Sequence, residues 1–169
     1  MSPIPNFRGW LEDKIQKNDK NGRFFDGSIL SDHDLDQLTQ YGLLKDDESP
    51  WDNLLSSFKT VKYSDKESKD ISVIQPILMK LVSRYLVLEK HRGKPLDGVA
   101  RFHLGNGAEV YRVNFAADLS QKGIENSFGM MVNYRYVLEN VKENQKRFES
   151  EYEFPVSPEV STWLPVEGD

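Results

Sequence analysis

The stretch Val99–Leu138, VARFHLGNGAEVYRVNFAADLSQKGIENSFGMMVNYRYVL, carries the sharpest turn signal in the chain and the histidine best placed for chemistry. Asn106-Gly107 lies between two runs of alternating character. Asn-Gly favours two-residue hairpins because both central residues take positive φ. A hairpin about that pair sets His103 opposite Val110, Phe102 opposite Tyr111 and Arg101 opposite Arg112. Opposed residues share a face. Ala100, Phe102, Leu104, Tyr111 and Val113 then form a core face, while Arg101, His103, Val110, Arg112 and Asn114 form a polar one. A one-residue slip would reverse that assignment. Further on, Met130, Val132, Tyr134, Tyr136 and Leu138 alternate with Met131, Asn133, Arg135 and Val137, which predicts a third strand. Asp118 to Asn126, between the strands, predicts a short helix or turn.

Upstream the pattern changes to helical spacing. Val73, Ile74, Ile77, Leu78, Leu81, Val82, Tyr85, Leu86 and Leu88 follow i, i+3, i+4 and predict one long amphipathic helix. Pro76 fits its first turn, Gly93 and Pro95 end it, and His91 reads as a cation at its negative end. Shorter helices are predicted from about Phe7 to Lys17, from Ser31 with Asp34 three residues on, and around Trp51, Leu54, Leu55 and Phe58 behind Ser49-Pro50. Asn18 to Ser28 and residues 62–70 read as loops. His33 sits among Asp32, Asp34 and Asp36; an exposed helix start accounts for it better than a metal site. Residues 139–150 are helix-like, and the tail from Glu151 shows no period, with Trp163 able to dock on the body.

Composition narrows the classes. The 169 residues suffice for one domain with a real core. Basic residues number 22 against 27 acidic ones, a net charge of −5, which argues against nucleic acid as partner. A polyanionic ligand needs a local basic patch, for which Arg101 and Arg112 beside His103 are the candidates. There is no cysteine, so thiol catalysis is excluded. No run approaches a membrane span, and no secretory, transit or Ser-Lys-Leu signal is present, so cytoplasm is the default location. No Walker sequence, zinc-spaced His/Cys set or Gly-x-Ser-x-Gly elbow occurs, and Gly105-x-Gly107 lacks the third glycine of a dinucleotide fingerprint.

Several separated blocks together are more specific than any one of them. Phe102-His103-Leu104-Gly105-Asn106-Gly107-Ala108, Ala117-Asp118-x-Ser120-x-x-Gly123 and Met131-Val132-Asn133-Tyr134 stand in the order in which similar blocks occur in malonyl-CoA decarboxylases. Ser2-Pro3-Ile4-Pro5-Asn6-Phe7 resembles a serine-containing segment upstream of them in that family. The resemblance, to the C-terminal catalytic region, covers residues 2 to 150.

The resemblance implies an α+β fold: the C-terminal part of an N-acetyltransferase-like acyl-CoA-binding domain, helices followed by a β-hairpin and a third strand. Residues 1–150 would form that part and 151–169 an irregular tail whose sequence does not match the family. The implied activity is decarboxylation of malonyl-CoA to acetyl-CoA and CO2, within fatty acid metabolism. No cofactor and no metal are needed, because the thioester carbonyl is the electron sink. Ser2 takes the place of the family's proton acceptor and His103 that of its proton donor, a role that a side chain titrating near neutrality suits. Tyr136 and Asn133 are implied as substrate-binding, with Tyr136 able to orient the histidine.

In the family a helical domain and the first half of the acyl-CoA-binding domain precede the serine, including the turn that binds the CoA pyrophosphate. Here the chain starts at the motif, so it is expected to be a truncated member with Ser2 at a free terminus, an unpaired sheet edge and an uncovered apolar face. Association with the missing family domains or with further copies of itself follows. The alternatives are a catalytically silent acyl-CoA-binding or interaction module and an incomplete gene product.

Overall fold

The computed structural model describes residues 1–19, 30–44 and 50–165. Most of the loop expected at 18–28, the cap expected at Ser49 and the last residues, 166–169, lie outside the described residues. Helices α1 (Phe7–Asp19), α2 (Asp32–Gln40), α3 (Pro50–Thr60) and α4 (Lys69–Val87) make up the first half. Ser31 starts α2 as expected, its hydroxyl accepting from Asp34 N at 3.2 Å while Asp34 Oδ2 accepts from Ser31 N at 2.9 Å. The same carboxylate accepts from Lys80 Nζ at 2.6 Å, which ties α2 to α4. Burial pushes the Asp34 carboxyl up, but Lys80 and Ser31 outweigh it and hold the group below its ordinary range.

Helix α4 is the spine of the core. Ile71, Ile74, Ile77, Leu78, Leu81, Val82 and Tyr85 are all buried along it, with Phe7 and Leu11 of α1 and Phe58 of α3 in the same cluster. The helix begins four residues earlier than its apolar run, at Lys69, so Pro76 lies in its interior rather than its first turn. It also stops at Val87. A small antiparallel hairpin follows, β2 (Lys90–His91) and β3 (Lys94–Pro95), turning at Arg92-Gly93 with φ of 53° and 83°. His91 is therefore a strand residue, not a helix-end cation.

The hairpin expected about Asn106-Gly107 is absent: residues Gly98–Gly105 form helix α5. Asp97 caps it, Oδ1 accepting from Ala100 N at 2.8 Å. Ala100 and Leu104, four apart, are buried, whereas Phe102, a core residue in the strand register, is 65% exposed. Asn106-Gly107 ends this helix. Gly107 N donates to the Leu104 carbonyl and Ala108 N to the His103 carbonyl, each at 3.1 Å, with Gly107 at φ +93°. That is the Schellman arrangement, which needs the left-handed residue Asn-Gly also offers to a hairpin.

The main sheet is antiparallel, ordered β1 (Ser2–Pro3), β5 (Met131–Arg135), β4 (Glu109–Asn114). Val132 lies opposite both Ser2 and Val113, and Asn133 opposite Arg112, with a bulge at Tyr111 between the Val110 and Arg112 pairs. Strand β5 is the predicted third strand. Between β4 and β5 runs α6 (Gln121–Ser127), where the Asp118-x-Ser120-x-x-Gly123 block proves to be a helix start. Ser120 Oγ accepts from Gly123 N at 3.1 Å and donates to Asp118 Oδ1 at 2.6 Å. A Cβ on Gly123 would come within 2.3 Å of the Asp118 carbonyl oxygen, which explains the glycine.

The segment after α7 (Val141–Glu151) is not irregular throughout. Val156 bridges Val110 in parallel, Val110 N donating to the Pro155 carbonyl at 3.1 Å and Ser157 N to the Val110 carbonyl at 2.9 Å. Helix α8 (Pro158–Ser161) follows, Val160 is buried, and Trp163 packs on the core. This segment covers the edge of β4. The arrangement as a whole is α+β.

Candidate functional site

Alternation along β5 divides its residues between two environments. Met130 and Val132 are fully buried, and the Tyr134 hydroxyl is buried too. Met131, Asn133 and Arg135 face the other way, opposite Asn114, Arg112 and Glu109 of β4. Glu109 and Arg135 form an ion pair on that side, and Asn133 Oδ1 accepts from Asn114 Nδ2 at 2.6 Å. The uncovered face is thus polar, not the apolar face expected.

His103, in the last turn of α5, lies against the Tyr134 side of the sheet. Its imidazole stacks on the Tyr134 ring, centroids 4.6 Å apart and planes 19° from parallel. Its Nδ1 is 2.8 Å from Tyr136 Oη. Phe102 meets the imidazole edge-on at 5.2 Å. Burial depresses the His103 pKa below the ordinary 6.5, so the ring is held towards its neutral form. Nε2 has no hydrogen-bond partner among the described residues.

Ser2 enters this arrangement through β1. Directly opposite Val132, it stands on the face that Val132 shares with Tyr134, one strand over from the tyrosine beneath His103. It is a paired strand residue rather than a frayed terminus. The structure therefore brings Ser2, His103 and Tyr136 to one side of the sheet. Asn133 is sent to the opposite side by alternation and does not join them. Arg112 lies opposite Asn133 on that far face, and Arg101 is two helical positions from His103, a spacing that does not share a helix face. The basic patch expected beside the histidine is not formed.

Two residues of the site carried no signal of their own. Tyr134 is visible in Asn-Tyr-Arg-Tyr as a partner of Tyr136 on one strand face, but its contact with His103 needs α5 to exist. Asp97, fully buried, caps α5 and accepts from Tyr85 Oη at 3.3 Å, which anchors α5 to α4. Burial raises its pKa above the ordinary value, against its hydrogen bonds.

Surface hollows of about 280 Å³, between Lys90, Tyr152 and Phe154, and about 330 Å³, between Tyr63, Leu119 and Ile124, lie elsewhere. Among the described residues no three His, Cys, Asp or Glu side chains are placed to hold a metal, and no helix is long and apolar enough to cross a membrane. His33 is an exposed first-turn residue of α2.

With this geometry in place, known proteins supply the context. The family model for the malonyl-CoA decarboxylase C-terminal domain matches residues 1–169. The chain belongs to the malonyl-CoA decarboxylase family. The match runs through the last nineteen residues as well, so the closing segment is part of the family domain. The mitochondrial malonyl-CoA decarboxylase of Anser anser anser is 33% identical over 165 residues, covering 97% of this chain and 31% of that protein. That of Mus musculus is 37% identical over 145 residues, covering 85% and 28%. The crystal structure of malonyl-CoA decarboxylase from Cupriavidus metallidurans superposes with a TM-score of 0.71 at 35% identity, over 96% of this chain and 37% of that one. The Rhodopseudomonas palustris structure gives 0.72 at 29% identity, over 97% and 32%. The chain thus spans about a third of the length of the relatives it matches.

Proposed function

We propose that this chain carries the proton-transfer side of malonyl-CoA decarboxylation, with His103 as proton donor and Ser2 as the hydroxyl that contacts the malonyl group. The observation that carries the proposal is the clasp on His103: Tyr134 beneath the ring and Tyr136 on Nδ1, on the sheet face that holds Ser2. The C–C bond to the carboxylate breaks, CO2 departs, and the electron pair delocalises into the thioester as an enolate. A proton delivered from Nε2 to the α-carbon gives acetyl-CoA. The thioester carbonyl takes the charge, so the step calls for no cofactor. A bound malonyl carboxylate favours the imidazolium and offsets the effect of burial at the moment a proton is needed. Tyr136 serves from the substrate side; Asn133, across the sheet, has no direct part in this proposal.

An acetyltransferase-like fold fits an antiparallel sheet packed by helices on one face, and the open polar face suits a further domain or a second copy of the chain. The cytoplasm is the location we propose from the sequence; the mitochondrion is the alternative suggested by the relatives' names, and imaging of the tagged protein decides between them. The decisive experiment is a malonyl-CoA decarboxylation assay. His103→Asn should keep the fold and lower turnover by about a hundredfold, the usual scale for losing a positioned general acid. Near-normal turnover in a folded variant would make the histidine structural. Binding of acyl-CoA without turnover by the unaltered protein would favour a silent binding module.

A further inference from the structure

Tyr134 combines two features that are hard to reconcile with packing alone. Its hydroxyl is buried without a hydrogen-bond partner among the described residues, a costly state for a polar group. Its ring face, by contrast, lies nearly parallel to the imidazole of His103. The residue is also held firmly. It lies on the middle strand of the sheet, opposite the fully buried Val110. A ring so fixed is a rigid floor, and stacking on it confines rotation about the His103 Cβ–Cγ bond to two flat orientations half a turn apart. Tyr136, just past the end of the same strand, selects between the two through its hydrogen bond with Nδ1.

We propose that Tyr134 is a positioning residue for the proton donor, its ring face holding the plane of the His103 imidazole while Tyr136 on Nδ1 leaves Nε2 as the nitrogen presented to substrate. The inference rests on the assignment of His103 as proton donor. The hydroxyl has no part in it: burial raises its pKa and keeps it neutral, and nothing nearby receives its proton. An apolar side chain in place of the tyrosine would leave the imidazole free to tilt, and misplacement on the ångström scale is enough to slow a positioned proton transfer.

The test joins NMR of the 169-residue chain to decarboxylation kinetics. In the unaltered chain the His103 ring protons should resonate upfield of those of His33 and His91, both exposed, because they lie over the Tyr134 face. Tyr134→Phe should retain that shift and kcat, with an equal or higher Tm, since an unpaired buried hydroxyl is lost. Tyr134→Leu should abolish the shift and lower kcat by about tenfold, with KM changed by less than about twofold.

An unshifted His103 in the unaltered chain overturns the proposal, as does full kcat in a folded Tyr134→Leu protein. A fall in kcat for Tyr134→Phe matching that for Tyr134→Leu overturns it too, because the hydroxyl would then be responsible. Should Tyr134→Leu fail to fold, the unaltered chain and Tyr134→Phe still decide. Full turnover by His103→Gln would remove the premise, and is told apart from the other failures because the ring-current shift is read without catalysis.

Discussion

The two faces of the β1-β5-β4 sheet are made from neighbouring residues of the same strands and differ in nearly every physical respect. One face packs Val113 and Val132 into the core and ends in Tyr134 with His103 upon it. The other shows Arg112, Asn114, Asn133 and Arg135, with Asn114 bonded to Asn133, Arg135 paired with Glu109 and Arg112 exposed to solvent. The difference shows that a period of two residues is enough to separate the face that carries His103 from a merely polar surface. Polarity alone did not place His103, because the histidine belongs to the apolar side and reaches it from a helix.

The largest test of the comparison takes two adjacent methionines. Met130 is fully buried and Met131 is partly open. Met130→Ala should cost about 3 kcal/mol in urea unfolding, as for other buried methionines, whereas Met131→Ala should cost about 1 kcal/mol or less. Equal losses would mean that the second face is covered in solution and that the comparison fails.

A smaller effect is expected at the helix end that carries His103. Gly107 has φ +93°, and a Cβ there would come within 2.6 Å of the Val141 carbonyl oxygen. Gly107→Ala should destabilise by about 2 kcal/mol and lower turnover, since Ala108 N is bonded to the His103 carbonyl itself. Gly105→Ala is the contrast. Its Cβ would meet Phe148 at an ordinary 3.5 Å, so stability should move by about 0.5 kcal/mol at most. Thermal unfolding of both variants separates a turn requirement from a general intolerance of bulk.

That helix also marks the limit of what the sequence disclosed. The long helix, the Ser31 cap, the third strand and the family were all legible, because each rests on several agreeing residues. The 100–107 segment was not. Ala100 and Leu104 fit a spacing of two residues as well as one of four, and Asn-Gly serves a hairpin and a helix terminus equally, both needing positive φ. Phe102 is the residue that separates the cases, and its exposure could not be read from its identity. His103 was therefore singled out as a residue while its neighbours were placed on the wrong faces. Arg112 depended on that register; Asn133 and Tyr136 did not, because the alternation over 130–138 was read independently of it.

Asn133 gives the next test. Asn133→Ala removes the bond to Asn114 and should cost about 1 kcal/mol, with turnover of malonyl-CoA changed by less than about twofold. A tenfold loss of turnover at unchanged stability would extend the site around the edge of the sheet and restore Asn133 to substrate binding.

The smallest expected effect is on stability against pH, and it reports on the imidazole directly. Burial lowers the folded pKa of His103 below 6.5, with no carboxylate opposing it. The unfolded chain therefore takes up this proton first as pH falls. Above about 6.5 the ring is neutral in both states and its contribution is complete. Below that, the unfolded state binds more protons than the folded one, so stability declines until the folded pKa is passed, and then the slope from this group ends. The loss is a minor one, because the ring is partly exposed and solvent screens the charge. Asp34 acts lower: its folded pKa lies below 3.8, so its contribution fades as pH falls from the ordinary carboxylate range. Urea midpoints across the histidine window should decline less steeply in His103→Gln than in the unaltered chain, and the NMR midpoint of His103 should lie below 6.5. A midpoint above 6.5 would place an anion at the ring and reverse the slope, and the apolar face would then have to be redrawn as an acidic one.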